Sequence, residues 1–487
     1  MQLLSLSATQ QARLIRARQV SSLELVQAHL DQIQKVNPAI HAVIEVFADS
    51  ALAEARAADA TAPGGPLHGV PFSVKDSIEL AGRVCTAGTL GRQAAPPSTE
   101  DATLVARLRA AGAIPIARTN LPDLLFAFES DNLLLGATNN PYDLSRTSGG
   151  SSGGEAALIA ACGSPMGLGS DAAGSVRLPA AFCGIAGIKP TSGRLPRTGH
   201  FPPAGGWIEA LWQIGPMARR VEDLHTLMPL LAGSDGRDPT CIGMPLGAPV
   251  GADWSKLRVA FYTDNGIAPA GPDVARVVRA AAASLASTVV LVAEDRPACL
   301  AQAYDLEMMF LGADGGDGLW QYLDGLGSTT VHPLLSGWLE KLRGYRTDVA
   351  GFAGYWAELN QYRAEMFAFL RRYDVILCPA YPQPALPHGA STLDENFRGF
   401  SHTMAYNLTG WPAAVVRCGE SEKGLPIAVQ VVAPPWREDI ALAVTSWLEA
   451  ALGGWKPPTL AGLSGSGGTR ANAGIEAGSH HGTGLPK

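Results

Sequence analysis

Two serines in separate glycine-rich turns, with one lysine upstream of both, are the residues of this chain best suited to chemistry. The turns span residues 147–154 and 169–177, and Lys75 lies in the run 69–76. A serine hydroxyl can attack an acyl carbon, a second hydroxyl can pass its proton on, and a neutral lysine can accept that proton. Neither turn contains a histidine. The pattern therefore predicts a serine hydrolase that acts on amide-like bonds.

Predicted strands and helices alternate along the chain, with short links between them. The apolar runs that we predict as strands are 40–44, 69–74, 113–117, 258–262, 289–292, 374–378, 413–416 and 427–432. Lys75 directly follows the second of these strands, and Ser151 and Ser152 precede an alanine-rich helix predicted at 155–162. This alternation predicts an α/β fold, with one large α/β/α domain whose mixed, partly parallel sheet is covered by helices.

Local signals set the expected limits of several elements. Ser21-Ser22-Leu23-Glu24 is a capping-box pattern, and Asn37-Pro38 is expected to end the helix that it starts. Ser98-Thr99 is predicted to cap a second helix, and Thr119-Asn120 is predicted to open a third. Residues 141–147 are polar and are predicted to form a turn.

Composition excludes several classes of protein. The net charge of −7 and the lack of a basic block argue against nucleic acid as a partner. Seven scattered cysteines without a C-x-x-C pair argue against a disulfide scaffold or a zinc site, and they suit a reducing cytoplasm. The chain begins with no signal-peptide pattern, and no window approaches the roughly 18 apolar residues of a membrane span. We expect a cytoplasmic enzyme without a metal or cofactor.

We expect one large domain over residues 1–460. Its motif-bearing core occupies about residues 65–220, and a helical region at about 298–372 is expected to cover the pocket. Large side chains in that region either pack in the core or line a pocket for an apolar substrate: Tyr304, Met308, Met309, Phe310, Trp320, Tyr355 and Trp356. Residues 461–487 are rich in glycine and serine and are predicted to be a disordered tail.

Two other nucleophiles have to be weighed. The run 149–153 matches G-x-S-x-G, the nucleophile turn of α/β-hydrolases, which would make Ser151 the nucleophile and a downstream histidine its base. The downstream histidines include His200, His225, His332, His388 and His402. A glycine-rich chain can match that motif by chance. The motif also normally follows a strand, whereas a turn is predicted before it here. Cys183 and Cys378 offer thiols, but buried structural cysteines are the better interpretation of both.

The chain resembles the amidase signature family. The resemblance rests on Lys75, the Gly-Gly-Ser-Ser-Gly-Gly run, the Asp-x-x-Gly-Ser-x-Arg-x-Pro-Ala run from Asp171, and the segments 181–191, 407–412 and 424–426. These blocks occur in order and extend the resemblance over nearly all of residues 1–455. The pattern around 138–191, including Glu155, is most similar to the fatty acid amide hydrolase branch.

The resemblance implies a Ser-cisSer-Lys triad. Ser175 aligns with the nucleophile, Ser151 with the bridging serine on a cis peptide bond, and Lys75 with the base. The implied oxyanion hole consists of the backbone N–H groups of Ala172, Ala173, Gly174 and Ser175. Supporting positions of the motif are matched by Ser152, Asp171 and Arg177. The chain departs from the family at Ala173, where glycine is usual, and at Ser148, where proline is frequent.

The chemistry of these residue types agrees with the implied roles. A lysine acts as a base only when it is neutral, and burial lowers its pKa from about 10.4 toward working pH. Glycine-rich turns let backbone N–H groups converge on a developing oxyanion.

Three functions remain open at this point. The first is a stand-alone amidase that acts on aryl or apolar amides, as an aryl acylamidase does, and by extension on esters and carbamates (urethanes). The second is the glutaminase component of a tRNA-dependent amidotransferase, which the same family supplies. The third is a catalytically inactive binding module, which the filled triad positions disfavour. In the first case the partner is a small molecule, and the protein is a monomer or homodimer.

Overall fold

The computed structural model describes residues 3–203, 205–206, 208–247 and 254–459. The predicted tail at 461–487 lies outside these residues, and the domain limits 1–460 stay a prediction. In chain order the strands are β1 (Val43–Val46), β2 (Pro71–Lys75), β3 (Ile114–Thr119), β4 (Asn139–Asn140), β5 (Asp143–Thr147), β6 (Met166–Asp171), β7 (Ala186–Lys189), β8 (Gln213–Ala218), β9 (Arg258–Phe261), β10 (Leu291–Glu294), β11 (Val375–Pro379), β12 (Ala413–Glu420) and β13 (Pro426–Val432).

Helices flank these strands on both faces of the sheet. They are α1 (Ala8–Arg16), α2 (Ser22–Ile40), α3 (Ala48–Asp59), α4 (Thr103–Ala110), α5 (Gly153–Ala160), α6 (Arg177–Phe182), α7 (Val221–Leu231), α8 (Pro272–Leu285), α9 (Ala303–Leu311), α10 (Asp317–Gly325), α11 (Pro333–Leu342), α12 (Val349–Leu370), α13 (Asp394–Phe397), α14 (Ser401–Leu408) and α15 (Glu438–Leu452). None of these helices is both long and apolar enough to cross a membrane.

Within the described residues, eleven of the strands form one mixed sheet. Its order is β1-β3-β2-β6-β8-β7-β12-β13-β11-β9-β10, and β4 pairs only with β5 in a separate two-stranded sheet. Parallel pairs join β2 to β3 and β6, and β9 to β10 and β11, whereas the pairs around β8, β7, β12 and β13 are antiparallel. The predicted α/β fold with a mixed, partly parallel sheet is confirmed.

Helix α2 shows how local signals and burial share control of an element. Ser21 is its N-cap, with Ser21 Oγ accepting from Glu24 N–H at 3.0 Å and Glu24 accepting from Ser21 N–H at 2.8 Å, so the predicted capping box is confirmed. The prediction that Asn37-Pro38 ends the helix is wrong. Pro38 lies in the last turn, where it removes one backbone hydrogen bond while the helix continues and buries Ile40.

Three other predicted boundaries are wrong. Ala102, and not Ser98-Thr99, is the N-cap of α4. Thr119-Asn120 opens no α-helix, because the Asn120 amide instead donates to the Gly136 carbonyl at 2.9 Å and holds a loop. The segment expected to be a turn at 141–147 contains strand β5, since pairing with β4 outweighs its polar composition.

The face of the sheet that carries the candidate chemistry is packed closely against α5. All of α5 is buried, and its Glu155 accepts a hydrogen bond from Ser73 of β2. A Cβ at Gly167 of β6 would come within 1.7 Å of Glu155 Oε1. Glycine at this position therefore permits the close approach of helix and strand.

Candidate active site

Strand β2 determines where the Lys75 side chain lies. Phe72 and Val74 belong to the apolar core on one face of the sheet, whereas Ser73 and Lys75 alternate with them and point to the face covered by α5. Because β2 and β6 are parallel neighbours, their carboxyl ends meet at one edge. Lys75 therefore lies beside the turn that follows β6.

The first glycine-rich turn carries Ser151 between β5 and α5. The peptide bond between Gly150 and Ser151 is cis. The Ser130 hydroxyl braces this turn, since it lies 3.1 Å from the Gly149 carbonyl oxygen and accepts from Gly153 N–H at 2.9 Å. Ser152 is the N-cap of α5, so the predicted position of the paired serines at a helix N-terminus is confirmed.

The second glycine-rich turn is organised by Asp171 at the end of β6. Its carboxylate accepts from Gly174 N–H at 2.8 Å and from Val176 N–H at 3.1 Å. Gly174 has a φ of +127°, and a Cβ there would come within 2.3 Å of Thr403 Oγ1. Only glycine therefore fits directly before Ser175.

Arg177 keeps Asp171 charged inside the protein. Both side chains are fully buried, and Arg177 Nε and Nη2 each lie 2.9 Å from an Asp171 carboxylate oxygen. Asn407 Nδ2 donates to the same carboxylate at 2.9 Å. Burial alone would raise the pKa of Asp171, but the Arg177 guanidinium and these hydrogen bonds hold it well below its usual range. The carboxylate consequently keeps its hold on the turn at any working pH.

A backbone hydrogen bond joins the two turns. Ser152 N–H donates to the Ser175 carbonyl oxygen at 3.1 Å. The Ser152 hydroxyl in turn accepts from Ser170 N–H at 3.4 Å. The residues next to Ser151 thus tie the first turn to the strand end and loop that carry Ser175.

Lys75 is fully buried in contact with two hydroxyl groups. Its Nζ lies 2.7 Å from Ser151 Oγ and 3.1 Å from Ser170 Oγ. Burial lowers the pKa of Lys75 from 10.5 to about 7, against the opposing effect of the Asp171 and Glu155 carboxylates. A large fraction of the amine is therefore neutral near pH 7, and a neutral amine can accept a proton from Ser151.

Glu155 is the second carboxylate near this amine. It accepts hydrogen bonds from Ser73 and, at 2.7 Å, from Thr119 Oγ1. Burial raises the pKa of Glu155 to about 7, against the effect of these two hydroxyl groups and of Lys75. The sequence drew attention to Glu155 only through the family resemblance. In the structure its carboxylate accepts from Ser73 and Thr119 and interacts with the Lys75 amine through its charge.

Ser175 and Ser151 both line a single cavity of about 440 Å³. Among the described residues, the Ser175 hydroxyl forms no hydrogen bond with Ser151. The structure thus brings Lys75 and Ser151 into direct contact and places Ser175 in the wall of the same cavity.

The predicted oxyanion donors divide into two groups. Gly174 N–H is already paired with Asp171 and is not part of the cavity lining. Ala172, Ala173 and Ser175 do line the cavity, and in the part of the chain that is described their N–H groups have no protein acceptor. Ala173 does not have a positive φ, so its methyl group causes no backbone strain where the family usually has glycine.

Most of the remaining lining is apolar. It is formed by Leu124, Leu125, Phe126, Ala127, Phe128, Pro202, Pro203, Ile208, Trp212, Leu311, Leu319, Tyr322, Trp338 and Leu342. Asp314 is the other acid in this lining, and its carboxylate accepts from Gly316 N–H at 2.8 Å and Gly318 N–H at 2.6 Å. The described lining contains no lysine or arginine, which leaves an anionic substrate group without a counter-charge.

The large side chains singled out in the helical region do not line this cavity. Tyr304, Met308, Met309, Phe310, Tyr355 and Trp356 pack in the apolar core, and Trp320 is 40% exposed. The region reaches the cavity through α9, α10 and α11 at Leu311, Tyr322 and Trp338 instead. Composition indicated an apolar region, but only the packing of the helices decides which face meets the cavity.

Two polar residues beside the amine, Ser170 and His200, were not predicted to lie there: the sequence offered His200 only as a candidate base for Ser151 and gave Ser170 no role. His200 lines the cavity, and its Nε2 lies 3.0 Å from Ser170 Oγ, the same oxygen that contacts Lys75. The available signal was the Gly-Ser-Asp run at the end of a strand. It becomes informative only once β6 is known to pair with β2.

The contacts of Ser151 do not fit the alternative nucleophile turn. A strand, β5, does precede the turn, so the expectation that none would precede it is wrong. The Ser151 hydroxyl, however, contacts Lys75, whereas His200, which lines the cavity, contacts Ser170. Cys183 and Cys378 are buried outside the cavity lining, and burial raises the pKa of both thiols, as expected of structural cysteines.

Comparisons with known proteins cover almost the whole chain. A family model described as Amidase matches residues 24–442. Fatty-acid amide hydrolase 2 of Homo sapiens is 34% identical over 490 residues, covering 94% of this chain and 91% of that protein. A glutamyl-tRNA(Gln) amidotransferase subunit of Thermus thermophilus is 36% identical over 457 residues, covering 87% of this chain and 93% of that protein. The solved structure of 6-aminohexanoate cyclic dimer hydrolase superposes with a TM-score of 0.84 at 29% identity, over 94% of this chain and 99% of the other.

Proposed function

The chain belongs to the amidase family and is an amide-hydrolysing enzyme, and from that premise we propose that it cleaves apolar or aryl amides, and related esters and carbamates, through Lys75, Ser151 and Ser175. The observation that carries this proposal is the 2.7 Å contact between the buried Lys75 Nζ and Ser151 Oγ, in the wall of the cavity that also holds Ser175.

The proposed reaction begins with a proton relay. Ser175 Oγ attacks the carbonyl carbon, its proton passes to Ser151 Oγ, and the proton of Ser151 passes to neutral Lys75. Because the Ser175 hydroxyl does not hydrogen-bond to Ser151 in this structure, the relay requires the two hydroxyl groups to approach each other when substrate binds. Hydrogen bonds between catalytic groups often shorten in this way only in the complex.

The second half of the reaction runs the relay in reverse. As the tetrahedral intermediate collapses, Lys75 returns its proton through Ser151 to the leaving nitrogen or oxygen, and the acyl group stays on Ser175. Water then attacks the acyl carbon and gives its proton to the same relay. The relay returns that proton to Ser175 Oγ as the bond between Ser175 and the acyl group breaks, and the acid is released. A carbamate would leave a carbamoyl or carbonate ester on Ser175, depending on which bond breaks.

The turn after β6 is the proposed site of oxyanion stabilisation. The N–H groups of Ala172, Ala173 and Ser175 are unpaired within the described protein and line the cavity. Preorganised donors of this kind each contribute a factor of about 10²–10³ to kcat in other acyl-transfer enzymes. Asp171 supports this role indirectly, because its hydrogen bond to Gly174 N–H fixes the conformation of the turn.

The cavity lining supports an uncharged, apolar substrate. Phe126, Trp338 and Leu342 contribute to a wall on which an aromatic or alkyl group can pack. Free glutamine carries a carboxylate, and the described lining supplies no cation to pair with it. The sequence similarity to the amidotransferase relative is comparable to that of the amide hydrolases, so this difference in lining is what favours an apolar substrate.

Labelling with an alkyl fluorophosphonate, followed by peptide mass spectrometry, tests the nucleophile. We expect an adduct on Ser175 that is lost in Ser175→Ala. The control Ser446→Ala, which replaces a partly buried serine on α15, should still be labelled on Ser175. An adduct on Ser151 would support the alternative nucleophile turn. Absence of any adduct would favour an inactive module.

Substrate class is tested by comparing kcat/KM on apolar p-nitroanilides, aryl carbamates, fatty amides and glutamine. We expect turnover of the apolar amides and carbamates and little release of ammonia from glutamine. Glutamine as the best substrate, together with copurification of a second protein, would overturn the substrate proposal in favour of the amidotransferase role.

A further inference from the structure

We propose that His200 is a positioning residue, which acts through the Ser170 hydroxyl to keep the Lys75 lone pair directed at Ser151. The inference rests on the proposed function, because it takes Lys75 as the base. It is carried by a chain of three contacts, from His200 to Ser170 to Lys75 to Ser151.

The tautomer of His200 follows from its other contact. His200 Nδ1 lies 2.9 Å from the Pro202 carbonyl oxygen. A carbonyl oxygen can only accept a hydrogen bond, so Nδ1 carries the proton. In a neutral imidazole Nε2 is then an acceptor, and the Ser170 hydroxyl must donate its proton to it.

The direction of the first hydrogen bond sets the direction of the second. Once the Ser170 proton points at His200, the Ser170 oxygen presents only lone pairs to Lys75, 3.1 Å away. Lys75 therefore donates an N–H to Ser170. The lone pair of the neutral amine is left for its other hydroxyl partner, Ser151 at 2.7 Å. This is the orientation that a base for Ser151 requires.

The backbone fixes the imidazole next to the amine. Phe201 N–H donates to the Ser77 carbonyl at 2.7 Å, and Glu79 N–H donates to the Gly199 carbonyl at 2.8 Å. The residues on either side of His200 are thus tied to the segment that directly follows Lys75. The ring itself packs on Trp212, with 4.6 Å between the ring centroids.

Burial, with a smaller contribution from nearby charges, keeps the histidine neutral. Burial lowers the pKa of His200 to about 3, with the nearby cations of Lys75 and Arg197 acting in the same direction. Around Lys75 the titratable groups are Glu155 on α5, Asp171 on β6 and His200. The neighbouring Asp76 is paired with Arg118 of β3 at 2.9 Å. His200 consequently remains an acceptor at every pH at which Lys75 can act as a base.

Removing the imidazole would release the Ser170 proton. In His200→Leu the Ser170 hydroxyl can rotate and donate to Lys75, where it competes with Ser151 for the lone pair. We expect kcat for an apolar p-nitroanilide to fall by at least about tenfold, a fraction of what a general base contributes. The midpoint of the kcat–pH profile should move to lower pH, because a hydroxyl that donates to the amine stabilises only its neutral form.

A double variant separates positioning from packing. If the misdirected Ser170 proton causes the loss, then Ser170→Ala added to His200→Leu removes the competitor, and kcat should recover several-fold relative to His200→Leu alone. A purely structural role for His200 predicts that the two substitutions add or worsen one another. A double variant no more active than His200→Leu overturns the inference.

Two further variants control the comparison. His200→Gln offers a carbonyl oxygen to Ser170 and should retain kcat within about threefold with the native pH midpoint. His225→Leu removes a histidine that makes a similar contact with Ser446 at 2.9 Å. Neither residue is part of the cavity lining, so this variant should leave kcat unchanged. If His200→Leu does not fold, His200→Met takes its place in both comparisons.

Failure of this inference can be told apart from failure of the proposed function. If Lys75→Met retains activity, or the fluorophosphonate does not label Ser175, the proposed function fails. If those results are as expected but His200→Leu keeps the native kcat and pH midpoint, or is not relieved by Ser170→Ala, only the role of His200 fails.

Discussion

Two buried lysines end strands of the same sheet, and they differ in the groups that their amines contact. Lys75 ends β2 and Lys189 ends β7, and both are fully buried. Burial lowers the pKa of each to about 7. Lys75 contacts the hydroxyl groups of Ser151 and Ser170, whereas Lys189 Nζ donates to the Pro190 carbonyl oxygen at 2.9 Å.

The difference lies in what each amine can receive. A hydroxyl can give up a proton to a neutral amine, but a carbonyl oxygen has none to give. A lowered pKa is therefore not sufficient to mark a catalytic lysine in this fold. The contact with a proton donor at the cavity wall is what separates Lys75 from Lys189.

The largest expected difference in kcat is between the two variants in which one lysine is replaced with methionine. Lys75→Met should lower kcat by about 10²–10⁴-fold, the usual contribution of a general base, because among the described residues only Lys75 contacts the Ser151 hydroxyl. Lys189→Met should lower kcat by less than about tenfold, since in the described part of the chain its amine hydrogen-bonds to a carbonyl and not to a hydroxyl. Steady-state kinetics on a p-nitroanilide measure both. Equal losses in the two variants would break the comparison.

Asp171 lies near both lysines, and its removal should be the largest change in stability. Asp171→Asn leaves the buried Arg177 without its counter-charge and is expected to lower the free energy of unfolding by about 3–5 kcal/mol. Urea denaturation measures this. Asp374→Asn, which breaks a half-exposed pair with Arg258, should cost no more than about 1 kcal/mol. Similar costs for the two would show that Asp171 does not hold a buried charge.

The pH dependence of kcat tests which lysine controls the rate. Burial lowers the pKa of Lys75 to about 7, and in the proposed mechanism the neutral amine is the active form, so kcat should rise as pH increases through about 7. Below that midpoint it should fall by about tenfold per pH unit. Lys189→Met should leave the midpoint in place. A midpoint that disappears in Lys189→Met, or a rate that rises toward acid pH, would contradict this assignment.

The smallest expected effect is a shift in the pH midpoint of kcat when a carboxylate near one of the two amines is removed. Glu155 raises the pKa of Lys75, so Glu155→Gln should move the kcat midpoint to lower pH, by less than about one unit. Glu307 is buried near Lys189 and raises its pKa, and Glu307→Gln should leave the kcat midpoint unchanged. The two pH–rate profiles, measured in parallel, check this. A larger shift in Glu307→Gln would reverse the comparison.

Features that depend on short-range patterns could be predicted from the sequence. The capping box at Ser21 and Glu24 forms because residues within one turn satisfy each other's backbone groups. The place of Lys75 at a strand end and of Ser152 at a helix start likewise follows from local apolar and small-residue patterns. The roles of the three candidate residues came from the family resemblance.

Features that depend on contacts between distant segments could not be predicted. Ser170 and His200 lie beside Lys75 only because β6 pairs with β2 and because the segment 199–201 is hydrogen-bonded to the residues that follow Lys75. Helix α2 continues through Pro38 because burial of Ile40 outweighs a local stop signal. The cavity-facing positions in α9–α11 depend on how the helices pack, which the apolar pattern of each helix leaves open.

The hydrogen bond from Ser152 N–H to the Ser175 carbonyl makes one amide proton a reporter for the whole site. That proton can exchange with deuterium only when the segment carrying Ser175, the proposed nucleophile, separates from the start of α5. Its exchange rate therefore measures how often these two segments separate in the folded molecule, and measurements of turnover do not report this frequency.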